Sequence, residues 1–105
     1  AVLRLPAGKG LVAAQEVLTP EDAAADLARW SKASGARVFT LGASHDGRPV
    51  EAIRLGRKDA PGVVILLGRQ HPPEVTGAIA MEAFVDALVA RAGELDDVQV
   101  LVVPM

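Results

Sequence analysis

Hydrophobic and polar positions divide the chain into six regions. Residues 1–18 scatter Val2, Leu3, Leu5, Leu11, Val12, Val17 and Leu18 among Pro6, Gly8 and Gly10 without a period, which reads as an irregular lead-in. From Thr19 the pattern becomes helical. Thr19-Pro20-Glu21-Asp22 supplies an N-cap, a proline at the first helical position and acidic groups in the first turn. Ala23, Leu27, Trp30 and Ala33 then recur on one face as far as Gly35. Arg37-Val38-Phe39-Thr40-Leu41 and Pro49-Val50-Glu51-Ala52-Ile53-Arg54-Leu55-Gly56 flank His45-Asp46-Gly47, which predicts a β-hairpin with Gly47 at positive φ. Arg48 is expected to cap or pair nearby.

The second half has the stronger apolar runs. Val63-Val64-Ile65-Leu66-Leu67 is short, branched and uninterrupted, as expected of a buried strand. A helix follows from about Val75 to Ala92, closed by Gly93. Its polar residues are few, mainly Glu82, Asp86 and Arg91, so it expects cover on more than one side. Phe84 and Leu88 read as a core pair and Trp30 as a core anchor, while Gly77 reads as a site of close backbone packing. Val98-Gln99-Val100-Leu101-Val102-Val103 is a second buried-type strand, and strand, helix and strand in that order predict a parallel crossover. These elements together read as an α/β fold.

The totals narrow the chemistry. The 105 residues, 50% of them apolar, suit one core and not two. A net charge of -2, with no basic run longer than Arg57-Lys58, gives no footprint for nucleic acid or an anionic membrane surface. Without cysteine there is neither a disulfide framework nor a thiolate metal site, so a metal has to rely on nitrogen and oxygen ligands. No apolar run approaches the ~20 residues of a membrane span.

Gly68-Arg69-Gln70-His71-Pro72-Pro73-Glu74-Val75-Thr76-Gly77 is where that donor requirement is met. His71 would emerge at the carboxyl end of a strand, the place where open α/β sheets gather ligands, and Glu74 would open the next helix. Two prolines between them restrict φ and reduce the freedom of the loop. One reading is half of a zinc site. The other is a strand-end histidine bonded to backbone, with Glu74 favouring the positive end of the helix. His45, beside Asp46-Gly47, reads as a turn-forming or solvated residue.

These residues resemble the carboxypeptidase A-type zinc metallopeptidases, especially bacterial members with an H-P-x-E ligand motif. The resemblance spans roughly Val38 to Met105 and includes the hairpin Leu41 to Gly56, the motif, the following helix, and the strand ending Val102-Val103-Pro104-Met105. It implies the three-layer mixed sheet of the zinc carboxypeptidase type, with residues 19–105 as the N-terminal part of a catalytic domain. It also implies Zn2+ as cofactor, with His71 and Glu74 as the first two ligands. The family's third ligand, its glutamate base and the groups that receive the substrate carboxylate would lie beyond Met105. Several members carry an arginine where this chain has Pro73, and Arg69 is the candidate to take its part in substrate binding.

The implied activity is hydrolysis of C-terminal peptide or peptide-like amide bonds by the full-length protein, the fragment itself being inactive. The implied partners are a peptide or small amide substrate and the remainder of the domain, and the implied location is secreted or periplasmic. Two alternatives stand beside it: a zinc-dependent deacylase of N-acyl amino acids, and a non-catalytic binding domain of the same fold.

Overall fold

The computed structural model describes residues 2, 4–5 and 7–105. Ala1, Leu3 and Pro6 of the lead-in lie outside the described residues. Helix α1 (Pro20–Ser34) begins with Pro20 at its first position and a complete capping box: Asp22 N–H donates to Thr19 Oγ1 at 3.2 Å, and Thr19 N–H donates to Asp22 Oδ2 at 2.8 Å. The Thr19 N–H, and after it the Thr19 hydroxyl at 2.8 Å, donate to the Asp22 carboxylate and hold it below its usual range. The helix ends on Gly35 in the left-handed conformation, φ 73°.

Strands β1 (Val38–Ala43) and β2 (Pro49–Leu55) form the expected antiparallel hairpin, with an irregularity between Thr40 and Gly42. Gly47 has φ 77°, and Arg48 pairs with Asp46 at 2.8 Å. β3 (Gly62–Leu67), α2 (Val75–Val89) and β4 (Val98–Val103) complete the chain, with β3 parallel and β2 antiparallel to β4. The sheet order is β1-β2-β4-β3. Among the described residues no helix is long and apolar enough to cross a membrane.

One face of this sheet makes the core. Ile53 and Leu55 of β2 stand opposite Val102 and Val100 of β4, and the helices add Leu27, Trp30 and Val85 to the same cluster. Both helices therefore cover one face. A polar seam joins them at the rim: Trp30 Nε1 donates to Asp86 Oδ1 at 2.7 Å, and Arg29 pairs with Asp26, Glu82 and Asp86. The indole donor, followed by Arg29, keeps the Asp86 carboxyl below its ordinary value.

Four sequence expectations change. β3 is a strand but is not buried. It is an edge strand, and Val63, Ile65 and Leu67 point away from the helices, with Val63 and Ile65 each 58% exposed. A continuous apolar run fits cover on both faces, whereas here the helices cover only one. α2 stops at Val89, its end tightened by the Arg91 N–H bond to Leu88 O, and a single 3-10 turn follows at Ala92–Glu94. Phe84 is 53% exposed, because the buried stripe runs through Val75, Ala78 and Val85 and turns it outward. Gly77 has open space where a Cβ would stand, so it serves no close packing.

Candidate metal centre

The motif loop starts where the β3–β4 ladder ends. Gly68 N–H donates to Val103 O at 2.8 Å, prolonging the ladder by one residue. A Cβ on Gly68 would stand 2.5 Å from both Pro104 O and Met81 Cε, so this is the glycine that close packing requires beneath the loop. Arg69 follows at φ 48°, the one non-glycine residue at positive φ among the described residues. That conformation is uncommon for a side-chain-bearing residue and costs roughly 1–3 kcal/mol when the surroundings impose it.

His71 to Glu74 then form a tight turn. Glu74 N–H donates to His71 O at 3.1 Å, and the two interior positions are both proline, with trans peptide bonds. A four-residue turn brings its first and last residues side by side, and the pyrrolidine rings fix φ at both positions between them. His71 Nδ1 and Glu74 Oε1 consequently face each other at 2.9 Å. Glu74 is the N-cap residue of α2, yet its side chain makes no cap hydrogen bond. Its carboxylate is turned to the imidazole and not to the helix amides. Both side chains are open to solvent, 73% and 58% exposed.

The donor set suits zinc in kind and spacing. Imidazole nitrogen and carboxylate oxygen bind zinc at ~2.0–2.2 Å, so two tetrahedral ligands stand about 3.3 Å apart. The pair at 2.9 Å reaches that separation by a small side-chain rotation. Among the described residues no group of three or more His, Asp or Glu side chains could hold a metal, so this chain offers two donors. His45 is not brought to the pair. It lies on the hairpin turn at the same end of the sheet, but β4 intervenes between β2 and β3. There it lines a groove of about 350 Å³ together with Arg48, Glu51 and Met105.

Arg69 faces away from the pair. Its Nη1 donates to Leu18 O at 3.2 Å, and its buried Nε has no partner among the described residues. It borders a cavity of about 20 Å³ between the helices, in company with Asp22, Asp26 and Glu82. Sequence reasoning missed one residue at the loop. Gln15 Nε2 donates to Pro73 O at 3.1 Å across 58 positions of sequence. No local pattern marks such a contact.

No protein-family model and no curated protein matches the chain. Solved structures do. A metallo-carboxypeptidase from Burkholderia cenocepacia superposes with a TM-score of 0.71 at 28% identity, over 83% of this chain and 26% of its own. A metallo-carboxypeptidase from Pseudomonas aeruginosa, solved in complex with (2-guanidinoethylmercapto)succinic acid, gives 0.64 at 26% identity over 83% of this chain and 25% of its own. The four-stranded mixed sheet with its two helices thus has the metallo-carboxypeptidase fold, and the chain spans about a quarter of the length of these structures.

Proposed function

We propose that this chain is the N-terminal part of a zinc metallocarboxypeptidase domain, 19–105 of the sequence, and that His71 and Glu74 are two of its metal ligands. The observation that carries this reading is the convergence of His71 Nδ1 and Glu74 Oε1 at the carboxyl end of parallel β3, in a metallo-carboxypeptidase fold. His71 would bind through Nδ1 as the neutral imidazole and Glu74 as the carboxylate. Held by these two residues and a third ligand, zinc would supply an acidified water and a Lewis acid for a carbonyl.

Glu74 would hold the metal and not move protons, because a carboxylate committed to a cation has its lone pairs occupied and its basicity reduced. The third ligand, the general base and the groups that seat the substrate carboxylate are then contributions of the rest of a catalytic domain. The substrate class in this reading is a peptide or small amide with a free carboxylate, in keeping with the succinic acid derivative held by the Pseudomonas aeruginosa neighbour. Arg69, which donates to Leu18 O and borders a cavity with Asp22, Asp26 and Glu82, is not assigned a part in substrate binding in this reading.

Zinc titration against a chromophoric chelator tests the ligand assignment on the chain itself. The expected result is one weak site per chain that disappears in both His71→Ala and Glu74→Ala. Binding by the wild type that is no tighter than that of either variant would overturn it. In a longer protein containing the complete domain, elemental analysis should find near one zinc per chain, lost in the same variants.

A further inference from the structure

The motif loop is held from outside its own sequence. Two hydrogen bonds reach it from the segment just before α1: Gln15 Nε2 to Pro73 O, and Arg69 Nη1 to Leu18 O. They run in opposite directions, one donated by the lead-in and one by the loop. Their anchor points on the loop, residues 69 and 73, bracket His71 and adjoin Glu74. Arg69 is also the residue at positive φ, and Leu18 runs directly into the Thr19 cap of α1. The loop is thereby tied to a well-capped helix.

We propose that Gln15 and Arg69 are positioning residues that clasp the 69–74 loop and hold His71 and Glu74 facing each other. The proposal deepens the metal-site reading and rests on it for its functional meaning. The physical need is plain from the burial. His71, Pro72, Pro73 and Glu74 are all exposed, so no packing fixes the turn, and α2 begins without a side-chain cap to tie Glu74 down. The prolines make the turn rigid inside itself but do not orient it on the sheet. A tether at each end does. Arg69 stands in the left-handed conformation at one end of the loop, and its guanidinium bonds the Leu18 carbonyl there. Groups that orient metal ligands from outside are worth up to 10–100-fold in affinity where they bond the ligand directly. A clasp acting through the backbone, one hydrogen bond at a time, should be worth about three- to tenfold.

The test compares wild type with Gln15→Glu, which keeps shape and removes the donor, Arg69→Ala, which removes the other, and Arg69→Lys, which restores one. The first readout needs no metal: solvent exchange of the Glu74 and Val75 amides, which bond to His71 O and Pro73 O, followed by NMR. Expected is three- to tenfold faster exchange at these two amides in Gln15→Glu and Arg69→Ala, partial recovery in Arg69→Lys, and unchanged exchange at the centre of α2. Unchanged exchange at Glu74 and Val75, or an equal acceleration throughout the chain, would overturn the clasp.

The second readout is zinc affinity, expected to fall by a similar factor in the two donor-removing variants. Wild-type affinity retained in both would overturn the positioning role. If His71→Ala binds zinc as well as the wild type, the metal assignment fails separately and the exchange result alone judges the clasp.

Discussion

Gly68→Ala meets a defined obstacle where the motif loop begins. The new Cβ would sit 2.5 Å from the Pro104 carbonyl oxygen and 2.5 Å from Met81 Cε. An ordinary carbon contact is about 3.5–4.0 Å, so about 1 Å of separation has to be found on both sides. Met81 can supply its share by rotating the end of a flexible side chain. Pro104 cannot, because its oxygen is backbone, and Gly68 is already bonded to the neighbouring Val103 O at 2.8 Å. Either that bond lengthens or β3 and β4 separate at the exit of the motif loop.

Overpacking of this kind costs about 1–3 kcal/mol, and for a domain of this size each kcal/mol lowers Tm by about 4–8 °C. Gly77→Ala is the matched control. It is a glycine in the first turn of α2 with nothing within 4 Å of the new Cβ, so it should gain about 0.5–1 kcal/mol from helix propensity alone. Urea unfolding of the two variants and the wild type should therefore give shifts of opposite sign. A Gly68→Ala midpoint equal to or above that of the wild type would refute the packing argument, and with it the account of why a glycine opens the loop.

Further outcomes follow from the helices and the sheet. Thr19→Ala removes the acceptor of the capping box and should cost about 1 kcal/mol, read from the urea midpoint; a loss below a few tenths would mean that Asp22 alone caps α1. Asp86 has its native pKa depressed by Trp30 and Arg29, so its contribution to stability is full above the ordinary carboxylate range. That contribution is lost as pH falls through the depressed native value. Unfolding measured across the acid range should accordingly flatten in Asp86→Asn, and an acid limb as steep as that of the wild type would count against this carboxylate. Ile65→Lys, on the uncovered sheet face, should lower concentration-dependent light scattering while changing stability by no more than about 0.5 kcal/mol. Unchanged scattering would show that this face does not drive association.

The sequence alone determined the local elements, because each rests on interactions a few residues long. Thr19, Pro20, Asp22 and Gly35 specify both ends of α1 by capping and backbone conformation, and Asp46-Gly47 specifies the hairpin. The approach of His71 to Glu74 was legible for the same reason: three-residue spacing with two prolines inside it is a turn, and a turn brings its ends together. Burial was not legible in this way. Val63, Ile65 and Phe84 are apolar enough for a core, but the order β1-β2-β4-β3 and the placement of both helices on one face leave them exposed. Which glycine carries a packing constraint was equally a tertiary matter, decided at Gly68 by Met81 and Pro104 and left open at Gly77. The orientation of Arg69 and the reach of Gln15 to Pro73 depend on where α1 carries the lead-in past the loop. Periodicity reports which residues prefer to leave water, whereas only the assembled sheet and helices decide which of them have something to pack against.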